Sequence, residues 1–222
     1  MRSQKTEAEK KIVIWDLGAV VLNVDPDSLF KSLAKLFGAD VLEVVRLWCE
    51  EQIVPGDKKK RSLWHILDRG GSEMQIYRLF VKRFGKKVYF DDFLRAFKDG
   101  FSIKLNKHFL QLSEKLHKAG VEQFIFSNIT VIHQKFVEEK FGRKFVYVPF
   151  ENRFYSCVRG VGKPEGFTRF AKYYGIKLKD AYLVDDRREN IFGIRKAGGN
   201  GILFKDGFYH LEHEMRKQKI LK

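Results

Sequence analysis

Four short segments of this 222-residue chain carry side chains able to act together: Asp16, Ser127-Asn128, Lys163 and the pair Asp185-Asp186. Asp16 follows the apolar run Ile12–Trp15, Ser127-Asn128 follows Gln123–Phe126, and Asp185-Asp186 follows Ala181–Val184. Taken singly, a polar residue after an apolar run is as often a turn or helix cap as a working group. The adjacent carboxylates say more, because two such charges at a strand end repel unless a metal cation or a lysine offsets them. Lys163, in Val161-Gly162-Lys163-Pro164, is a cation held just before a helix start. By itself it would read as a solvated surface lysine.

The elements around these residues give them a common address. Ile12-Val13-Ile14-Trp15 has no polar member, the pattern of a strand buried on both faces. Asp25-Pro26 reads as an N-cap and first helical position, and Leu29, Phe30, Leu33, Leu36 and Phe37 recur at helical spacing up to Gly38. A second helix is expected over Val41–Trp48, with Leu42, Val45 and Trp48 on one face. Between Gly56 and Lys107 three helix-like stretches follow, roughly Lys59–Leu67, Ser72–Phe84 and Phe90–Phe97, with no convincing buried strand. From Asn106 onward strands and helices alternate. Helices are expected over Asn106–Lys118, Val131–Lys140, Glu165–Tyr174 and Asn190–Ala197, strands over Gln123–Phe126, Ala181–Val184 and Ile202–Phe204, and the apolar run Phe145–Val148 lies between.

That alternation argues for an α/β fold, a parallel sheet with helices on both faces. The helical block between the first strand and the second then becomes an insertion. The expected division is a core of residues 12–24 and 106–222, a helical cap over 25–105, and a charged tail over 1–11. In open parallel sheets ligands bind beyond the carboxyl ends of the strands, where the four segments fall.

In this order the segments resemble the haloacid dehalogenase-like (HAD) superfamily of aspartate-nucleophile hydrolases. The first motif is matched by Ile14-Trp15-Asp16-Leu17-Gly18-Ala19-Val20-Val21-Leu22 and the second by Phe126-Ser127-Asn128. Gly162-Lys163-Pro164-Glu165 matches the third, and Val184-Asp185-Asp186-Arg187-Arg188-Glu189-Asn190 the fourth. The resemblance implies a Rossmann-like core carrying a helical cap after the first strand. It implies Asp16 as the nucleophile, forming an aspartyl-phosphate that divides one hard displacement into two easier ones. It implies Mg²⁺ held by Asp16, the Gly18 carbonyl and Asp186, with Asp185 as the outer partner, in keeping with the oxygen donors that Mg²⁺ prefers. Ser127 and the amide of Asn128 would hold phosphate oxygens, and Lys163 would bind the substrate and offset charge between it and Asp16.

One position departs from the pattern. Many phosphatases of the superfamily carry a second Asp two residues after the nucleophile as general acid and base; here that position is Gly18. The Asp-Leu-Gly-x-Val form is similar to a subgroup that includes sugar-1-phosphate phosphatases, whose anomeric leaving oxygen needs less help from an acid. The function expected is therefore a Mg²⁺-dependent phosphatase of a small phosphorylated metabolite, a sugar phosphate among the candidates. One alternative is a catalytically impaired protein of this fold that binds an anionic partner such as nucleic acid. Another is a 2-haloacid dehalogenase, against which the Asp185-Asp186 pair counts, since displacing halide from carbon requires no metal.

Composition narrows the setting. With 43 Lys+Arg against 28 Asp+Glu the chain carries a formal charge of +15, which suits an anionic partner without naming it. Residues 56–107 hold fourteen basic and six acidic residues, about half of the excess, in clusters such as Lys58-Lys59-Lys60-Arg61, Lys82-Arg83 and Lys86-Lys87. The favoured reading of these clusters is the solvated outer faces of cap helices. Nucleic acid is the less favoured partner, since no aromatic platform interleaves them. No apolar run approaches a membrane span, and two cysteines, Cys49 and Cys157, form no disulfide framework. A cytoplasmic protein without a membrane partner is expected. None of the six histidines shows a triad partner, and only His210 and His213 have a regular spacing.

Overall fold

The computed structural model describes residues 11–50, 52–53 and 60–222. In chain order its elements begin with β1 (Ile12–Trp15), β2 (Leu22–Asp25), α1 (Pro26–Phe37), α2 (Val41–Cys49), β3 (Gln52–Ile53) and β4 (Lys60–Arg61). There follow α3 (Leu63–Asp68), α4 (Glu73–Phe84), α5 (Phe90–Asp99), β5 (Ser102–Leu105), α6 (Lys107–Lys118), β6 (Glu122–Ser127) and α7 (Val131–Phe141). The last are β7 (Arg153–Tyr155), α8 (Ser156–Arg159), α9 (Phe167–Tyr174), β8 (Ala181–Asp185), α10 (Arg188–Lys196), β9 (Asn200–Leu203) and α11 (Gly207–Lys217).

Five strands form one parallel sheet in the order β7-β6-β1-β8-β9. All four residues of β1 are buried because alternate side chains feed two different cores. Val13 and Trp15 pack with Phe109 and Leu112 of α6, Val137 of α7 and Leu211 of α11. Ile12 and Ile14 pack on the other face with Phe167 and Phe170 of α9 and Ile191 and Ile194 of α10. The sheet is therefore covered on both faces, as the alternation of strand and helix predicts. Trp15 also finds a partner for its indole N–H, which donates to Gln123 Oε1 at 3.0 Å.

A third hydrophobic core belongs to the helices between β2 and β5. Leu29 and Leu33 of α1, Trp48 of α2, Phe80 of α4, and Phe93 and Phe97 of α5 close on one another. Local sequence starts and stops these helices. Asp25 caps α1 by accepting from the Asp27 amide at 3.1 Å, Pro26 takes the first turn, and Gly38 ends it in the left-handed region at φ 65°.

The structure corrects several expectations. Ser102–Leu105, within a stretch expected to hold no buried strand, pairs antiparallel with β2, so a two-stranded ribbon joins the helical insertion to the sheet. Phe145–Val148 forms turns, and the strand beside β6 is Arg153–Tyr155. In α2 the buried side chains are Val44, Leu47 and Trp48, while Leu42 is exposed. That helix is apolar nearly all round, so its neighbours choose the buried face. A helix over Lys59–Leu67 shortens to Leu63–Asp68, with Arg61 in β4 and Lys59 outside the described residues. Residues 1–10 of the charged tail lie outside them too.

Candidate active site

Register brings the acidic residues together. Trp15 pairs with both Ile125 and Val184, so Asp16 and Asp185 leave adjacent strands side by side at their carboxyl ends. The Asp16 amide donates to the Val184 carbonyl at 2.9 Å, carrying the ladder one step past β1. The chain then turns sharply: Ala19 takes a left-handed backbone at φ 59°, a conformation that costs an alanine about 1 kcal/mol or more. The Leu22 amide closes the turn on the Leu17 carbonyl at 2.7 Å.

Lys163 is buried at the centre. Its Nζ lies 2.8 Å from Asp16 Oδ1 and 2.5 Å from Asp185 Oδ2. Asp185 is fully buried and held by two further donors, accepting from the Arg187 amide at 2.9 Å and, on both oxygens, from Asn190 Nδ2 at 2.9 and 3.0 Å. Asp186, the next residue, is exposed. One ligand atom from each of Asp16, Asp185 and Asp186 lies within 4.8 Å of the others, and this is the one such acidic trio among the described residues.

Three carboxylates around a single ammonium leave the cluster two charges short. Asp16 shows the strain: burial, opposed by Lys163 and reinforced by Asp185 and Asp186, pushes its carboxyl up to about 7. Burial and the Asp185 charge also raise Asp186. Oxygen donors, close spacing and uncompensated negative charge fit a hard divalent cation of the Mg²⁺ class.

The second-strand motif locks the loop that carries Lys163. Asn128 Nδ2 donates to the Lys163 carbonyl at 2.9 Å, and Asn128 Oδ1 accepts from the Lys163 amide at 2.8 Å. Gly162 makes room for this pairing, since a Cβ there would stand 2.4 Å from Asn128 Oδ1. Ser127 is buried, its hydroxyl 3.4 Å from the Asn128 carbonyl. The Asn128 side chain is thus committed to the Lys163 backbone.

Some of these residues form the floor of a cavity of about 480 Å³. Asp16, Gly18, Asn128 and Lys163 contribute from the sheet, and Trp64, His65 and Asp68 from the helical insertion. Ser127, Asp185 and Asp186 are outside its wall. Sequence reasoning missed the insertion's contribution, Asp68 above all, because a helix-terminal Asp in a charged segment carries no distinguishing signal. His133 was also passed over; it stacks between Phe97 and Phe101 at ring separations of 4.6 and 3.8 Å, where the insertion meets the core.

The remaining candidates fall elsewhere. Lys82, Arg83, Lys86 and Lys87 are exposed and none lines the cavity, consistent with solvated outer faces. Lys58 and Lys59 lie outside the described residues, and Arg61 hydrogen-bonds His65. His210 and His213 sit on α11. Cys49 is exposed, and burial pushes the Cys157 thiol up to about 11, away from thiolate chemistry. No helix among the described residues is long and apolar enough to cross a membrane.

Comparison with known proteins points one way. The model of the haloacid dehalogenase-like hydrolase family matches residues 10–198. A HAD-family enzyme from Bacteroides thetaiotaomicron, solved with magnesium and inorganic phosphate, superposes with a TM-score of 0.73 at 20% identity over 91% of this chain and 98% of its own. A predicted HAD-like hydrolase from Porphyromonas gingivalis gives 0.70 at 18% identity, covering 96% and 99%. A HAD phosphatase from Thermococcus onnurineus gives 0.56 at 15% identity, covering 92% and 97%. No curated protein matches the sequence.

Proposed function

The chain belongs to the haloacid dehalogenase-like hydrolases, and from that premise we propose that it is a Mg²⁺-dependent phosphatase of a small phosphorylated metabolite. The carrying observation is the buried Lys163 ammonium shared between Asp16 and Asp185, with Asp186 completing an acidic trio. The Bacteroides thetaiotaomicron relative, with magnesium and phosphate bound, supports the same assignment.

Asp16 acts as the nucleophile: one carboxylate oxygen attacks phosphorus and the ester oxygen departs. Its Oδ1 accepts from the Leu17 amide at 2.8 Å and from Lys163, which fixes the carboxylate plane and leaves Oδ2 for attack. Lys163 binds a phosphoryl oxygen and offsets charge as it shifts from phosphate to Asp16. The backbone amide of Asn128, with Ser127 behind it, positions a second phosphoryl oxygen. Asp16, the Gly18 carbonyl and Asp186 would hold the metal, with Asp185 as the outer partner that orients Lys163. Bound there, Mg²⁺ supplies Lewis-acid stabilisation of the phosphoryl oxygens and quenches the repulsion among the carboxylates.

The helices of residues 25–105 form a cap over this floor, and their Trp64, His65 and Asp68 give the cavity its upper wall. A cavity of about 480 Å³ fits a metabolite in size. A sugar phosphate is the favoured class.

A screen of sugar, nucleotide and aryl phosphates with Mg²⁺ and with chelator tests this reading. Activity that chelator and Asp16→Asn both abolish is expected. Turnover that survives either change sinks the mechanism, and a flat screen accompanied by salt-sensitive nucleic-acid binding favours the binding-protein alternative.

A further inference from the structure

Breaking a phosphate ester of an ordinary alcohol needs a proton for the departing oxygen, and hydrolysing an acyl phosphate needs a base for the attacking water. Position 18 offers neither, being glycine. The described carboxyl groups on the cavity wall are those of Asp16, Glu189 and Asp68. Asp16 is the nucleophile, and Glu189 is half-exposed and paired with Arg187 at 2.6 Å. Two histidines also line the space. His133 is sealed between two phenylalanines with its Nε2 on the Phe97 carbonyl at 3.2 Å, and the Nε2 of His65 accepts from Arg61. Asp68 is what remains.

Asp68 is also held in place from both sides. It ends α3, and the turn after it is pressed onto the core: Arg69 pairs with Glu165 at 3.1 Å. Gly70, at φ 83°, comes so near the core that an added Cβ would stand 2.7 Å from the Cys157 carbonyl. The seam between insertion and core thus holds the Asp68 carboxyl on the wall of the cavity that Asp16 and Lys163 also line.

We propose that Asp68 is the proton donor to the leaving oxygen and then the proton acceptor from the hydrolytic water, doing from the cap what residue 18 cannot. This rests on the phosphatase reading. In the first step an Asp16 oxygen bonds to phosphorus, the ester P–O bond breaks, and its electron pair takes the Asp68 proton to release the alcohol. In the second, water oxygen bonds to phosphorus while its proton passes to the Asp68 carboxylate. The P–O bond to Asp16 then breaks, returning Asp16 as carboxylate, Asp68 as acid, and free phosphate.

The electrostatics are compatible with a carboxyl that exchanges protons near neutrality. Burial pushes Asp68 up to about 7, against the pull of Arg69 on its own turn, Arg187 before α10 and Lys163 before α9. Its other titratable neighbours are the Cys157 thiol on α8, which Asp68 itself helps to raise, His65 one turn earlier on α3, and Glu189 on the same cavity wall.

The test is Asp68→Asn, with Asp68→Ser as a second variant, assayed on an alkyl phosphate and on p-nitrophenyl phosphate, whose leaving group needs no proton. The alkyl ester should lose about 10²–10⁴-fold in kcat/KM and the aryl ester about tenfold at most. Rapid quench should show phosphoenzyme accumulating from the aryl ester. Asp68→Glu should recover part of the alkyl activity, and carboxyl ¹³C NMR should lose one group titrating near neutrality. Equal loss on both esters, or no loss, in a protein that Asp16→Asn still silences overturns the role of Asp68 alone. Absence of any Asp16-dependent hydrolysis in the parent overturns the phosphatase reading and this inference together.

Discussion

Lys163 and Asp185 form a closed ion pair, Nζ to Oδ2 at 2.5 Å, with both side chains at or below 1% exposure. Removing one partner of a buried pair strands the other charge and costs on the order of 3–5 kcal/mol. Asp185 keeps Asn190 and the Arg187 amide if Lys163 is lost, and Lys163 keeps Asp16 if Asp185 is lost. Each single change should therefore fall near the low end of that range. Lys163→Met and Asp185→Ala should each lower unfolding free energy in urea by about 3 kcal/mol. Lys163→Met should also lower kcat by orders of magnitude. A change of under about 1 kcal/mol for both would show that the pair is open to water.

Two glycines of the site predict opposite outcomes. A Cβ on Gly18 meets nothing within 4 Å, whereas one on Gly162 stands 2.4 Å from Asn128 Oδ1 and 3.2 Å from Ser156 Cβ. Gly162→Ala should push Asn128 off the Lys163 backbone and lower kcat more than it lowers thermal stability. Gly18→Asp should fold like the parent. Placed in an Asp68→Asn background, it should restore part of the lost alkyl-phosphate turnover. A Gly18→Asp protein that fails to fold would contradict the open space found at that position.

The acidic trio predicts a metal-linked gain in stability. A ligand that binds only the folded state contributes about 2.7 kcal/mol at one hundred times its Kd, or about 5–10 °C in Tm for a chain of this size. Saturating Mg²⁺ should raise Tm by that order, and chelator should reverse it. Asp186→Asn should remove most of the gain while leaving metal-free Tm unchanged or higher, since it relieves repulsion from Asp185. Differential scanning fluorimetry with and without Mg²⁺ checks this, and an undiminished shift in Asp186→Asn takes that residue out of the ligand set.

Much of the core was legible because its signals are local. Ile12–Trp15 is apolar at every position, so burial on both faces follows without knowledge of its partners. Asp25-Pro26 and Gly38 mark the ends of α1 by backbone chemistry alone. The four site segments were readable by order and by their place after apolar runs, and the structure brings Asp16, Lys163, Asp185 and Asp186 together. Tertiary choices were not legible. β5 buries only Ile103 and exists because β2 pairs with it. β7 is three residues long and begins with Arg153, a charge no strand pattern expects inside. That guanidinium is buried because Glu138 meets it at 2.6 Å and the carbonyls of Gly142 and Val148 accept from it. Asp68 reaches the cavity through the docking of one short turn, information that resides in Gly70 and Arg69 only after folding.

His133 predicts how acid loosens the joint between insertion and core. Burial holds its imidazole down at about 4, neutral in the folded protein, while the unfolded chain titrates near the ordinary 6.5. Between those values the unfolded state binds the extra proton, so this residue makes stability fall as pH drops from about 6.5 to about 4. The full shift is worth about 3 kcal/mol. His133→Phe keeps the stack with Phe97 and Phe101 but has nothing to protonate. It gives up the hydrogen bond to the Phe97 carbonyl, so at neutral pH it should be the less stable protein by about 1 kcal/mol. Carboxylates titrating in the same window lower both proteins alike, so the difference between them isolates the histidine. Urea unfolding at pH 7, 5.5 and 4.5 should show the variant's deficit shrinking and then reversing. A deficit that stays constant across that range would mean that His133 is already reached by solvent and that the joint opens by another route.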